Sequence, residues 1–351
     1  MIDFPDLNEI VSSTPSKIVM LVIDGLGGLP HPETGISELE AANIPNLNAL
    51  AGKSACGLTT PVLPGIAPGS GPGHLGLFGY DPVKYLIGRG VLEALGIGVE
   101  LGEKDVAIRG NFCTLDEEGR ISDRRAGRLS SDEAIPLCKE LNSISIPGVE
   151  ISVYPVKDYR IALVLKGEGL TDQVSETDPG RLGLPPVECR PTGDNGGKTA
   201  DVVNTFLLES RKILKNHHKA NTVLLRGFSK LPDLPSMADR YCLNPAAIAA
   251  YPMYRGLASL VGMKVIDTGT EFSQELETLR NHFGDHDFFY IHYKPADAAG
   301  EDGDFSAKVK ALETLDTYIP ELMELSPDVF IVAGDHATPS VLASHSWHPV
   351  P

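Results

Sequence analysis

Three apolar runs in this chain each end beside an aspartate. Lys17-Ile-Val-Met-Leu-Val-Ile23 leads into Asp24-Gly25. Phe288-Phe-Tyr-Ile-His-Tyr293 leads through Lys294 to Asp297, and Asp328-Val-Phe-Ile-Val-Ala333 ends at Gly334-Asp335-His336. Unbroken apolar runs of this length indicate strands buried on both faces, as in a parallel sheet covered by helices. Such strands share one carboxyl edge, which is where ligand sites of open α/β sheets lie. Three carboxylates converging there repel one another unless a cation sits between them. His336 adds an imidazole, and after eight intervening residues comes His345. Imidazole beside carboxylate suits zinc or manganese better than calcium or magnesium. The expectation is a metal cluster at the top of an α/β sheet, built from distant segments.

The rest of the chain fits around that sheet. Its 351 residues suggest two domains. Pro45–Ala51 is expected to be a helix with proline in its first turn. The stretch Pro64-Gly-Ile-Ala-Pro-Gly-Ser70-Gly-Pro-Gly-His74 reads as a loop, because proline and glycine interrupt both regular structures. From about residue 105 the texture changes to a hairpin over 106–123, a helix over 130–142 opened by a Ser130/Glu133 capping box, and strands over 149–154 and 159–166. A long helix over 198–218 and a strand over 222–226 follow. After about 240 the α/β alternation resumes, with strands over 246–250, 264–267, 288–293 and 329–333 and helices over 253–261, 271–283 and 305–325. The predicted fold is therefore α/β, a mostly parallel sheet flanked by helices, with an inserted α+β domain. Residues 1–84 and 241–351 form the discontinuous metal-binding domain, and 85–240 the insert. A sheet of this size is expected to be closed by one more element beyond Pro351.

Composition narrows the function classes. Hydrophobic residues are 42% and charged residues 22%, as in soluble globular proteins. The net charge of −17 excludes nucleic acid as a natural partner. There is no basic leader and no run of about 18 apolar residues, so no membrane partner is expected. Five scattered cysteines without a CxxC pair suit a reducing compartment, hence the cytoplasm. A small metabolite is the expected partner, and the chain is expected to act as a monomer or small homo-oligomer.

Several residues stand out chemically. Asp297 and Glu301 are four apart and share a face if helical, a spacing a shared cation would explain, although Asp302 and Asp304 beside them also suit an ordinary acidic loop. Ser70, flanked by small residues, permits close backbone approach and would serve as a nucleophile once a base or metal takes its proton. The same serine would also suit a plain capping role. Arg120, Arg124, Arg125 and Arg128 lie within nine residues of an otherwise acidic chain, with Arg109, Arg160 and Arg226 elsewhere in the insert. Singly each is a surface arginine; together they favour an anionic ligand, which guanidinium binds bidentately.

At these residues the chain resembles the cofactor-independent phosphoglycerate mutases of the archaeal type, within the alkaline phosphatase superfamily. The matching segments are Val22–Gly27, Pro68–Pro82, Arg109-Gly-Asn-Phe112, Asp123–Arg128, Leu225–Gly227, Ala296–Gly303 and Gly334–Pro339 through His345. They follow family order across nearly the whole chain. The resemblance implies two divalent metal ions, manganese or zinc with magnesium a further option, and no 2,3-bisphosphoglycerate. One metal would be held by Asp24, Ser70, Asp335 and His336, the other by Asp297, Glu301 and His345. It implies substrate contacts from Arg109, Asn111, Arg124, Arg125, Arg128, Arg160 and Arg226. Ser70 would carry the phosphoryl group between 3-phosphoglycerate and 2-phosphoglycerate, in glycolysis or gluconeogenesis, while bound glycerate reorients. Two positions depart from the family pattern: Glu301 stands where histidine is common, and Gly71-Pro72-Gly73 replaces a more polar stretch. The alternative is a related phosphotransferase or phosphatase on another small metabolite, such as a homoserine kinase-like activity. A third option is a non-catalytic metal-binding protein, against which an intact Ser70 speaks.

Overall fold

The computed structural model describes residues 7–351. Its strands in chain order are β1 (Ile18–Ile23), β2 (Val106–Leu115), β3 (Ile121–Asp123), β4 (Glu150–Pro155), β5 (Arg160–Lys166), β6 (Thr222–Ser229), β7 (Pro245–Ile248), β8 (Lys264–Ile266), β9 (Phe288–Tyr293) and β10 (Val329–Ala333). β1 and β9 are buried almost throughout, because helices cover both faces of the sheet they belong to. The chain divides into two compact units, residues up to Leu86 with Leu234–Pro351, and Ile87–Asp233.

The first unit holds a sheet in the order β10-β1-β9-β7-β8, with every pairing parallel. Val19, Leu21, Ile23, Phe289 and Ile291 pack with Leu276, Leu279, Leu312 and Leu315 from the flanking helices. Because β1 lies between β10 and β9, the segments that follow these three strands emerge side by side. The helix Met237–Tyr241 belongs to this unit, so the insert ends earlier than residue 240. Met237 N–H bonds Val261 O, and the Tyr241 hydroxyl donates to Phe78 O, which tie that helix to neighbours within its own unit.

The second unit is an antiparallel sheet in the order β3-β2-β5-β4, with β6 also paired to β2. Its core joins Ile108, Phe112, Ile161 and Leu163 to Val203 and Phe206 of the helix Gly197–Leu214 and to Leu137 and Leu141 of the helix Ser131–Leu141. That last helix opens on the expected capping box of Ser130 with Glu133. Among the described residues, no helix is long and apolar enough to cross a membrane.

Two local expectations fail. The segment after Gly69 is not loop: Ser70–Leu77 is helical. Pro72 falls within its first turn, where backbone N–H groups have no intrahelical partner, so the missing donor costs nothing there. The long helix expected over 305–325 is two, Phe305–Asp316 and Ile319–Glu324. Pro320 cannot donate to the turn before it and stands instead at the start of the second helix.

One buried carboxyl makes the first unit's stability pH-dependent in an unusual direction. Burial pushes the Glu275 carboxyl up from 4.5 to about 8, against hydrogen bonds from the Ala250 and His292 backbones. The folded chain therefore holds a proton that the unfolded chain releases. Stability from this group is complete below the unfolded value and declines as pH rises through the folded value. Melting temperatures between pH 5 and 8 should fall less in Glu275→Gln than in the wild type; identical slopes would show that Glu275 is ionised in the folded chain.

Candidate metal centre

Asp24 follows β1 directly, Asp335 stands two residues after β10, and Asp297 lies in the helix Pro295–Glu301 that follows β9. All three are fully buried, as is His336. Ser70 opens its helix and places Oγ 3.1 Å from His336 Nε2. His336 Nε2 is also 3.3 Å from Asp24 Oδ1 and 3.2 Å from Asp335 Oδ2. On its other side, His336 Nδ1 is 2.9 Å from Thr338 Oγ1, which donates to Asp297 Oδ1 at 2.6 Å. The threonine proton is thus committed, so Nδ1 of His336 carries the proton and Nε2 presents a lone pair. That lone pair converges with two carboxylate oxygens, Asp24 Oδ1 and Asp335 Oδ2, neither of which has a hydrogen-bond partner.

The second group lies beside it. His345 Nδ1 is 3.0 Å from the Pro68 carbonyl, which leaves Nε2 facing Asp297 Oδ1 at 3.4 Å without hydrogen-bond geometry. The rings of His345 and His336 stack 3.8 Å apart. Asp24, Asp335 and His336 form one set of donors close enough to share an ion, and Asp297, His336 and His345 another. Carboxylate and imidazole donors with orphaned buried lone pairs fit divalent manganese or zinc. Glu301 stands at the edge of this group. Its Oε1 is 3.3 Å from His345 Nε2, but its side chain is 54% exposed and it belongs to neither set.

Four further side chains shape the centre and were not singled out from the sequence. Asp24 Oδ2 accepts from the Tyr254 hydroxyl, from His292 Nε2 at 3.0 Å and from Lys294 Nζ at 3.1 Å. Lys294 also bonds Asp297, so one ammonium neutralises two buried carboxylates. His74, one helical turn after Ser70, has Nδ1 2.8 Å from the Ser70 carbonyl and 3.1 Å from Asp335 Oδ2. Burial opposes ionisation of Asp24, yet the hydrogen bond from His292 and the charge of Lys294 hold its carboxyl well below the usual range. Burial likewise opposes Asp297, but the His345 imidazole facing it leads the groups that hold it down to about 2. Burial would discharge His74 and His345, but Asp335 and Asp297 respectively raise them, whereas burial wins at His292 and lowers it.

Glycines allow this density. Gly25 has φ +65°, and a Cβ there would lie 2.7 Å from Thr338 Oγ1 and 2.8 Å from Asp297 Oδ1. At Gly73 a Cβ would lie 2.2 Å from the Asp335 carbonyl oxygen, so the Gly71-Pro72-Gly73 stretch lets the Ser70 helix close on Asp335. Beneath, the buried Lys308 ammonium donates to Gly27 O and Thr338 O and fixes the return loop.

In the second unit the arginines sort differently from their order in sequence. Arg109 pairs across strands with Arg226, and Asn111 with Arg160, so the four share one sheet face. Burial lowers Arg109 to about 10 against the pull of Glu93, whose Oε1 is 3.4 Å from Nε, and Arg226, Arg89 and Arg160 repel it further. Arg89, absent from the expected set, adds its charge from the start of the helix Arg89–Gly96. In the dense run, Arg124 forms a two-pronged pair with Asp178, and Arg125 and Arg128 are exposed.

Residues 51–220 match the family described as 2,3-bisphosphoglycerate-independent phosphoglycerate mutase. A protein of Thermus thermophilus, named "Probable 2,3-bisphosphoglycerate-independent phosphoglycerate mutase", is 50% identical over 99% of this chain and 87% of its own length. A Thermosipho africanus protein of the same name is 51% identical over 98% of this chain and 86% of its own. This chain belongs to that family of isomerases. The fold is similar to that of a cofactor-independent phosphoglycerate mutase from Thermoplasma acidophilum, with TM-score 0.69 and 32% identity over 96% of this chain and 88% of that one. It is also similar to a Pyrococcus horikoshii protein, with TM-score 0.81 and 26% identity over 95% and 86%.

Lys294 generates a prediction for the mutase chain without metal. Removing one partner of a buried ion pair strands the other charge, at about 3 kcal/mol or more. Lys294→Met in chelator should lose about 3 kcal/mol in urea unfolding, and added manganese should narrow the gap to wild type. Equal stability in chelator would show that Lys294 does not neutralise Asp24 and Asp297.

Proposed function

We propose that the chain interconverts 3-phosphoglycerate and 2-phosphoglycerate through a phosphoserine at Ser70, without 2,3-bisphosphoglycerate. The observation that carries this is the convergence of Asp24 Oδ1, Asp335 Oδ2 and His336 Nε2 around the Ser70 hydroxyl. A serine hydroxyl is a poor nucleophile until its proton is removed. Asp24, Ser70, Asp335 and His336 would hold one divalent ion, and Asp297 and His345, joined by Glu301 from the rim, a second. When bound, such ions supply charge neutralisation and Lewis acidity at the transferring phosphoryl group.

The residues do the rest. Ser70 takes the phosphoryl group from one hydroxyl of the substrate and returns it to the other after glycerate turns. As the first residue of its helix, Ser70 sits where free N–H groups and the helix dipole favour phosphate. Lys294 offers a cation beside Asp24 and Asp297. The arginine face of the inserted unit, Arg109, Arg160 and Arg226 with Asn111, is assigned to the substrate's anionic groups, with Arg124, Arg125 and Arg128 in lesser roles. The substrate is a cytoplasmic metabolite of glycolysis or gluconeogenesis, and the chain needs no nucleic acid or membrane.

Assays of purified protein with 3-phosphoglycerate and manganese test this. Ser70→Ala should lose activity by about a million-fold, the scale for removing a nucleophile, with its fold intact. Near wild-type turnover would rule out the covalent route. Glu301 tests the second ion. Glu301→Ala should weaken metal affinity about tenfold, whereas Glu301→His should retain activity and shift preference towards zinc. An unchanged manganese titration in Glu301→Ala would place this residue outside the metal shell.

A further inference from the structure

Tyr254 reaches the centre from an element that carries none of the expected ligands. It lies on the helix Pro252–Leu260, between β7 and β8, and is 1% exposed. Its hydroxyl donates to Asp24 Oδ2, on the carboxylate whose other oxygen faces His336 Nε2, the atom the Ser70 hydroxyl also touches. Its ring stacks on His292 at 3.6 Å and 28°, contacts His74 at 5.0 Å, and has Lys294 Nζ 5.6 Å from its centroid. With Tyr254, His292 and Lys294 all on Oδ2, that oxygen of Asp24 is saturated, and Oδ1 is the one left without a partner.

We propose that Tyr254 is a positioning residue for phosphoryl transfer: its phenol fixes which oxygen of Asp24 is free to face the metal-binding group beside Ser70. This rests on the proposed role of Ser70. Partners that orient a ligating carboxylate govern affinity and activity by about 10–100-fold when removed. A tyrosine buried only to fill the core, its hydroxyl satisfied by whichever acceptor lay nearest, would have no such leverage.

Tyr254→Phe separates the two roles, because it keeps the ring stacked on His292 and removes only the hydroxyl. The full chain is stripped by chelation and titrated calorimetrically with manganese alone, wild type against variant. The dissociation constant should rise about tenfold. At saturating manganese, kcat for 3-phosphoglycerate should fall about tenfold while KM stays within about twofold, the pattern of an interaction needed only for the chemical step. Wild-type manganese affinity in Tyr254→Phe overturns the proposal, as does a raised KM with unchanged kcat. Should the wild type fail to interconvert the two phosphoglycerates, the proposed reaction falls, and the manganese titration alone still decides the role of Tyr254.

Discussion

Everything in the first unit answers to one electrostatic constraint: Asp24, Asp297 and Asp335 are buried together at the carboxyl edge of a parallel sheet. Buried carboxylates are costly unless paired and hydrogen-bonded. The fold meets part of that demand from within, by Lys294 between two of them and by Tyr254, His292, Thr338 and backbone N–H groups around them. It leaves Asp24 Oδ1, Asp335 Oδ2 and His345 Nε2 unmet. Unmet buried lone pairs of one electrostatic sign, beside an imidazole turned towards them, are what a cation site looks like from its ligands.

The sheet order explains how distant residues arrive there. β10, β1 and β9 are neighbours, so segments separated by some three hundred residues of sequence end within a few ångströms of one another. The close approach then depends on absent side chains. Gly25 and Gly73 sit where any Cβ would meet Thr338, Asp297 or the Asp335 backbone. The glycine-rich stretch after Ser70 is therefore a packing requirement of the centre. A more polar residue at Gly73 would need that helix to sit further from Asp335.

What the sequence disclosed follows the same physics. Runs such as Phe288–Tyr293 are legible because burial on both faces leaves no polar alternation to confuse, and an acidic residue just past such a run is conspicuous. The misses have identifiable causes. His292 sits inside a run and Tyr254 on the buried side of a helix, positions where an aromatic or imidazole ring reads as core. His74 is one turn from Ser70, a relation hidden once Pro68–His74 is taken for loop. The arginines expected together divide into two groups: strand alternation gathers Arg109, Asn111, Arg160 and Arg226 on one face, a grouping that sequence density does not show, while Arg124 pairs with Asp178. A helix start at a glycine-proline stretch and a sheet face assembled from three strands both need pairing information that local composition does not carry.

The central claim, that this centre passes a phosphoryl group through Ser70, is tested most directly by trapping it. The manganese-loaded chain is mixed with 3-phosphoglycerate, quenched in acid within the first turnover, digested, and its phosphorylated residue located by mass spectrometry. The account predicts a phosphoryl group on Ser70 alone, lost when the reaction runs to equilibrium and the products are removed. A chain that interconverts the two phosphoglycerates while Ser70 is never labelled, or is labelled elsewhere, would contradict it.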